Sequence, residues 1–274
     1  MMLVWGFVIV LAATAAMVGA MLLSRRHAPE GSRFTDGDRA AGVFGVVATG
    51  FALLLGFVIF LAFTKYDDSR SGAEAEALVV AQQFQTAQLL PVEARAELSG
   101  ELVCYGRSIV EGEWPAMEAG TGSDQINPWG LRLLQTLQTV EPETASEQSA
   151  YDAWLAQTDA RVEGRRDRLH AAEGIVPTSV WVALVMSAGL VLGFVLLFAD
   201  PAESVPVQGF TAGAVTAVVV VMLLVLVSLD RPYRQGPGGL QPTAMMRTLS
   251  ILDEARADLG MDEALPCDGT GQPT

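Results

Sequence analysis

Residues 40–63 read AAGVFGVVATGFALLLGFVIFLAF, without a single Asp, Glu, Lys, Arg or His. A helix needs about 20 predominantly apolar residues to cross the hydrocarbon of a bilayer, with every backbone group paired internally. This stretch therefore predicts a membrane-spanning helix. Three more uncharged runs of comparable length lie outward from it, Met2 to Leu23, Val180 to Phe198 and Val207 to Leu229. The chain reads as all-α with four transmembrane helices. Residues 1–64 hold spans one and two with a short basic loop at 24–39, and 177–229 hold spans three and four.

The first span has a small-residue stretch, Ala13-Thr14-Ala15, of the kind that signal peptidases cut. It lacks a basic n-region, however, and exceeds the roughly 7–15 residues of a signal h-region; Arg25 and Arg26 then follow as a stop-transfer flank. The reading is a retained anchor. Composition agrees: 51% of the 274 residues are hydrophobic and 18% charged, against about 25% charged in soluble domains. A formal net charge of −14 excludes nucleic acid as a partner, because that binding needs a basic surface. Two cysteines and two histidines leave little for a zinc site or a disulfide framework, so neither metal nor cofactor is expected.

Residues 65–176 form the main polar segment, with 19 acidic side chains against nine Lys and Arg. Its apolar spacing is helical throughout. The stretch after Lys65 continues the second span, with Ala73, Ala77, Val80 and Phe84 on one face. Pro91 opens a further helix striped by Leu98, Leu102, Tyr105 and Ile109. Gly120 to Asn127 is rich in turn formers, and Asn127-Pro128 looks like an N-cap followed by Pro at the first helical position. Leu131, Leu134 and Leu137 stripe the helix that follows. Another is expected from Ser146 to Glu173, with Tyr151, Leu155, Thr158, Val162 and Leu169 inward and Gly174 ending it. These helices should pack as antiparallel hairpins. The tail, 230–274, holds a turn cluster at Gly236 to Gly239. An amphipathic helix follows at about 242–259, with Met245, Leu249, Leu252 and Leu259 on one side, docking on the helical domain. Residues beyond Gly260 are expected to lack fixed structure.

Small residues recur at four-residue spacing in the spans: Ala48, Ala52 and Gly56, then Gly189 and Gly193, then Gly209 and Gly213. Small residues let helices approach closely in lipid. Packing within one chain is the preferred reading, and an interface between copies is the other. Orientation is finely balanced. Raw counting of Lys and Arg near span ends favours a cytoplasmic domain, but long acidic domains translocate largely regardless of charge. The basic flank of span one, which includes Arg25, Arg26, Arg33 and Arg39, places both termini and the domain outside. Two spans separate Cys104 from Cys267, so both lie on one side. Outside they could pair as a disulfide; inside they would stay reduced. Cys104, beside an apolar stripe, reads most simply as a core residue.

No catalytic constellation emerges, and no enzyme activity is expected. His27 and His170 read as solvated. Asp67-Asp68 lacks a further metal ligand at a recognisable spacing. Arg165, Arg166 and Arg168, interleaved with Glu163, Asp167 and Glu173, read as a solvated, salt-bridged helix face. Uncharged spans argue against a proton-coupled pump. They leave room for a channel, since pores can be built from hydrophobic constrictions and hydroxyls. Thr49, Leu53 and Phe57, four residues apart, are the candidate pore-lining positions; ordinary lipid or helix contact is the competing reading.

Three stretches resemble the bacterial bestrophin-like family of four-span membrane proteins. One is Thr49-Gly50 through Leu55-Gly56-Phe57 to Lys65-Tyr66 and Glu76-Ala77. Another is Arg168-Leu169 through Gly174 and Pro177 to Trp181, and the last is Asp230-Arg231-Pro232-Tyr233 with Gly236 and Pro242. The family is distantly similar to true bestrophins, which are pentameric anion channels. By that resemblance Phe57 is a neck residue, and Thr49 and Leu53 stand where bestrophins carry larger apolar side chains. The resemblance implies a homo-oligomer in membrane lipid passing anions, with span two lining the pore. It also implies a cytoplasmic soluble region, against the orientation read from the flanks. Two functions follow as expectations: a passive, anion-preferring channel of the plasma membrane, or a non-transporting scaffold or envelope sensor whose helical domain binds a partner.

Overall fold

The computed structural model describes residues 2–27, 34, 36–121, 127–236, 238–261 and 263–274. Among these it is helical, with no strand beyond one isolated bridge between Cys267 and Pro273. The helices are α1 (Met2–Arg26), α2 (Gly37–Ala87), α3 (Val92–Ser108), α4 (Trp114–Ala119), α5 (Pro128–Gln138), α6 (Ala145–Leu169), α7 (Thr178–Leu197), α8 (Val205–Asp230) and α9 (Thr243–Asp258). A π-helical turn, Ile109–Glu113, joins α3 to α4. Four of the helices, α1, α2, α7 and α8, are long and apolar enough to span a membrane. The chain is a multi-pass membrane protein. Arg33 and most of the expected 120–127 loop lie outside the described residues.

Two compact units result. The transmembrane unit comprises residues 1–64, 175–230 and 236–238, and the polar unit 65–174, 231–235 and 239–274. In the first, α1 packs along α8. A Cβ added at Gly213 would sit 3.1 Å from a methyl of Thr14, which shows how near the two backbones come. A core of Phe51, Leu55, Val58 and Ala62 from α2, Leu184, Ala188 and Val191 from α7, and Val219 and Leu226 from α8 holds the rest. Polar side chains fasten the helix ends. Arg25 donates to Gln208 Oε1 at 2.7 Å and to the Glu203 carbonyl at 2.8 Å, tying the end of α1 to the α7–α8 turn. Asp230, closing α8, accepts from the Ile175 and Val176 amides at 3.0 and 2.6 Å and from Trp181 Nε1 at 3.3 Å. Those amides lie just before α7, so Asp230 ties the approach to α7 to the end of α8.

In the polar unit α3 is the central element. Leu98, Leu102 and Tyr105 are buried along it, with Ile109 buried where the π turn begins, and α5 and α9 pack against it. Asn127 caps α5 by accepting from the Trp129 amide at 3.1 Å, with Pro128 at the first helical position. Thr144 and Glu147 form a capping box at the start of α6. Leu137 is buried on α5, but Leu131 and Leu134 are exposed; Trp129, Leu133 and Thr136 take the inward face. On α9, Met245 and Leu252 are buried, while Leu259 is exposed and Arg256 turns inward.

The largest correction to the sequence reading is on α6. Its inward face is Ala150, Trp154, Arg161, Gly164 and Arg168. Val162 is 58% exposed where Arg161 is 2% exposed. The true stripe lies one residue away from the expected one, about 100° around the helix. The helix ends at Leu169, and a turn carries the chain to Gly174, whose φ is 103°. Nor is the tail beyond Gly260 without structure. Cys267 is joined to Cys104 by a disulfide with 5.8 Å between the Cα atoms, so Cys104 is more than a core side chain. Trp129 Nε1 donates to the Gly271 carbonyl at 2.6 Å, fixing the last residues to α5.

Candidate functional site

Two groupings stand out, one in each unit. In the transmembrane unit, the α2 face that carries Phe51, Leu55, Val58 and Ala62 is packed into the core, and Ala48 sits partly buried at its edge. The opposite face has no partner among the described residues. Thr49, Ala52 and Gly56 lie toward it, with Leu53 at 70% and Phe57 at 61% exposure. Side chains added at Gly42, Gly45, Gly50 or Gly56 would meet nothing within 4 Å. Thr49, Leu53 and Phe57 thus lie on one outward face. Glycine weakens a helix by roughly 1 kcal/mol relative to alanine, and in membrane helices small residues gather where backbones approach closely.

The remaining glycines divide. Gly209 and Gly213 face α1, where an added Cβ would lie 3.1–3.8 Å from Met21, Val18 or Thr14. Gly189 and Gly193 on α7 meet nothing within 4 Å. Packing inside one chain therefore accounts for the fourth-span pair, whereas an added Cβ at Gly56, Gly189 or Gly193 meets nothing within 4 Å among the described residues.

The second grouping is a buried charge cluster in the polar unit. Gly72 on α2 and Gly164 on α6 let the two helices touch. A Cβ at Gly164 would fall 2.9 Å from the Glu76 amide nitrogen and 3.0 Å from the Gly72 carbonyl oxygen. This contact brings Arg168, one turn beyond Gly164, onto Glu76. Arg168 Nε donates to Glu76 Oε2 at 2.5 Å, and Nη2 donates to Glu76 Oε1 at 3.2 Å and to Glu113 Oε2 at 2.7 Å. Glu113 comes from the π turn, and π turns recur at functional sites. It also accepts from Arg165 at 3.3 Å. Tyr105 donates to Glu76 at 2.5 Å, and Arg161 lies over the Tyr105 ring, 4.6 Å from its centroid. Tyr233 donates to the Arg168 carbonyl and meets Trp114 edge-on at 5.3 Å.

Electrostatics keep Arg168 charged. Burial alone would lower the Arg168 pKa, but the charges of Glu76 and Glu113 more than offset it and hold it above the ordinary value. Burial pushes the Tyr105 hydroxyl well up, reinforced by the Glu76 charge, and raises Tyr233 to about 12. Both phenols stay protonated and able to donate. The expected solvated Arg165, Arg166 and Arg168 face is corrected accordingly: Arg168 is buried, Arg165 is half-buried against Glu113, and Arg166 alone is mainly exposed, 3.9 Å from Asp167. Sequence reasoning does not single out Glu76, Glu113 or Arg161 as site residues. The usable signal is Glu76, three residues after Ala73 on an otherwise apolar stripe.

The cluster also gives physical content to the resemblance. Glu76, Arg168 and Tyr233, one from each of the three stretches, meet here, and Trp181 and Asp230 meet in the transmembrane unit. The model of the bestrophin-like domain family matches residues 10–257. Among solved structures, a point-mutant crystal structure of a bacterial bestrophin homolog from Klebsiella pneumoniae superposes with a TM-score of 0.67 at 12% identity, covering 91% of this chain and 98% of that one. A second structure of that homolog gives 0.65 at 13% identity, covering 99% and 100%. No curated protein matches the chain. With most of its length matched by the family model and its fold shared with these homologs, the chain belongs to the bestrophin-like family.

Proposed function

We propose that the protein is an oligomeric passive ion channel, anions preferred, in which the outward face of α2 lines the pore. One observation carries this reading: α2 buries one face in its own bundle and leaves unpartnered, among the described residues, a face of four glycines, a hydroxyl at Thr49 and the apolar Leu53 and Phe57. Glycines let copies of α2 close around an axis. Leu53 and Phe57 then form apolar rings of the kind that gate by dewetting, with Thr49 offering a polar ring beside them. The solved bestrophin homologs share the fold, and channel function is carried over from the family resemblance.

The disulfide between Cys104 and Cys267 supports placing the polar unit and both termini on the extracytoplasmic side, where such bonds persist. Reconstitution tests the function. Purified full-length protein in liposomes should pass anions faster than empty vesicles do, and detergent-solubilised particles should be closed rings of several copies. A monomer without flux would favour the scaffold reading, in which the polar unit binds a partner.

A further inference from the structure

Between α3 and α5 lies an open cleft of about 340 Å³ lined by Glu97, Glu101, Arg132, Gln135, Thr136 and Thr139. Glu101 is 4% exposed. Its Oε1 accepts from the Thr136 hydroxyl at 3.1 Å, but its Oε2 is buried without a partner among the described residues. A buried carboxylate oxygen left unpaired is costly, and Glu101 lines a cavity large enough for a ligand.

We propose that this cleft binds a small primary amine as its ammonium ion, with Glu101 and Glu97 as its anionic contacts. Three features select that class. The lining carries two carboxylates and one guanidinium, so a single positive charge neutralises it. Hydroxyls and an amide can accept the remaining N–H groups, and no aromatic side chain lines the cleft to cage a quaternary ammonium. Among the described residues no three His, Cys, Asp or Glu side chains cluster as a metal site would require, and a hard divalent cation wants six or more oxygens. Arg132 stacks on the Trp129 ring, 4.8 Å from its centroid, and its charge still draws the Glu101 pKa down against the effect of burial. Burial raises the Glu101 pKa to about 7, against the Thr136 hydrogen bond and with help from the Glu97 charge. Protons thus compete with the amine, and binding fades as pH falls through that value.

The test is calorimetric titration of the full-length protein in detergent at about pH 8, with ethanolamine as probe and choline and sodium chloride as controls. One ethanolamine should bind per chain. A charged hydrogen bond is worth about 1.5–3 kcal/mol, so Glu101→Gln should weaken binding about ten-fold or more. Glu97→Gln, at an exposed position, should weaken it severalfold and guards against misfolding of the first variant. Unchanged affinity in both variants, no ethanolamine binding, or equal binding of choline or sodium would overturn the proposal.

Discussion

The two units hold their helices together by opposite means. In the transmembrane unit the contacts are apolar, Phe51, Leu55 and Val58 against Leu184 and Leu226, and charge appears only at helix ends, as in Arg25 and Asp230. In the polar unit one buried arginine makes three hydrogen bonds to two buried glutamates, and a disulfide closes the tail. The difference follows from the surroundings. Lipid gives no hydrophobic reward for helix association and penalises charge heavily, so small residues and close backbones remain. A water-facing unit can carry buried ions, provided each is paired.

Breaking the pairing should have the largest effect. Arg168→Met leaves Glu76 and Glu113 buried without their partner, which costs about 3–5 kcal/mol. Denaturant unfolding in micelles, followed by near-ultraviolet circular dichroism, should show it, and adding Glu76→Gln with Glu113→Gln should recover part of the loss. Next comes Cys104→Ser. It opens a link spanning 163 residues and should cost about 2–4 kcal/mol, read as a lower midpoint that reducing agent reproduces in the parent but not in the variant.

A smaller effect is expected from Gly164→Ala, whose methyl would press on the backbone of Gly72 and Glu76, costing about 1–3 kcal/mol. The matching change in the other unit, Gly213→Ala, meets only side-chain methyls and should cost less. Smallest of all is Gly56→Ala, which meets nothing and should stabilise the isolated chain by at most about 1 kcal/mol through helix propensity. Its effect should appear instead as fewer cross-linked oligomers, which separates contacts inside a chain from contacts between chains.

How far each region was legible follows from the same contrast. Spans declare themselves by length and lack of charge, so α7 and α8 begin and end within two residues of their expected limits. On α3 and into the π turn, the stripe of Leu98, Leu102, Tyr105 and Ile109 was readable because its inward residues are apolar. Hydrophobic periodicity misled on α6. It counted Leu155 and Val162, which are exposed, and passed over Arg161 and Arg168, which are buried because Tyr105, Glu76 and Glu113 await them. Those partners come from other helices, so no local pattern announces them. The outward α2 face was legible as spacing of Thr49, Leu53 and Phe57, whereas which α2 face the bundle leaves free depends on α7 and α8.

The most direct test of the pore assignment uses single thiols. Both native cysteines are in the disulfide, so Leu53→Cys and Met186→Cys each introduce one reactive site, the second on an exposed stretch of α7. In liposomes, a bulky charged thiol reagent should abolish anion flux through Leu53→Cys and leave Met186→Cys conducting. Equal inhibition of both, or flux through Leu53→Cys that survives full labelling, would contradict a pore lined by α2.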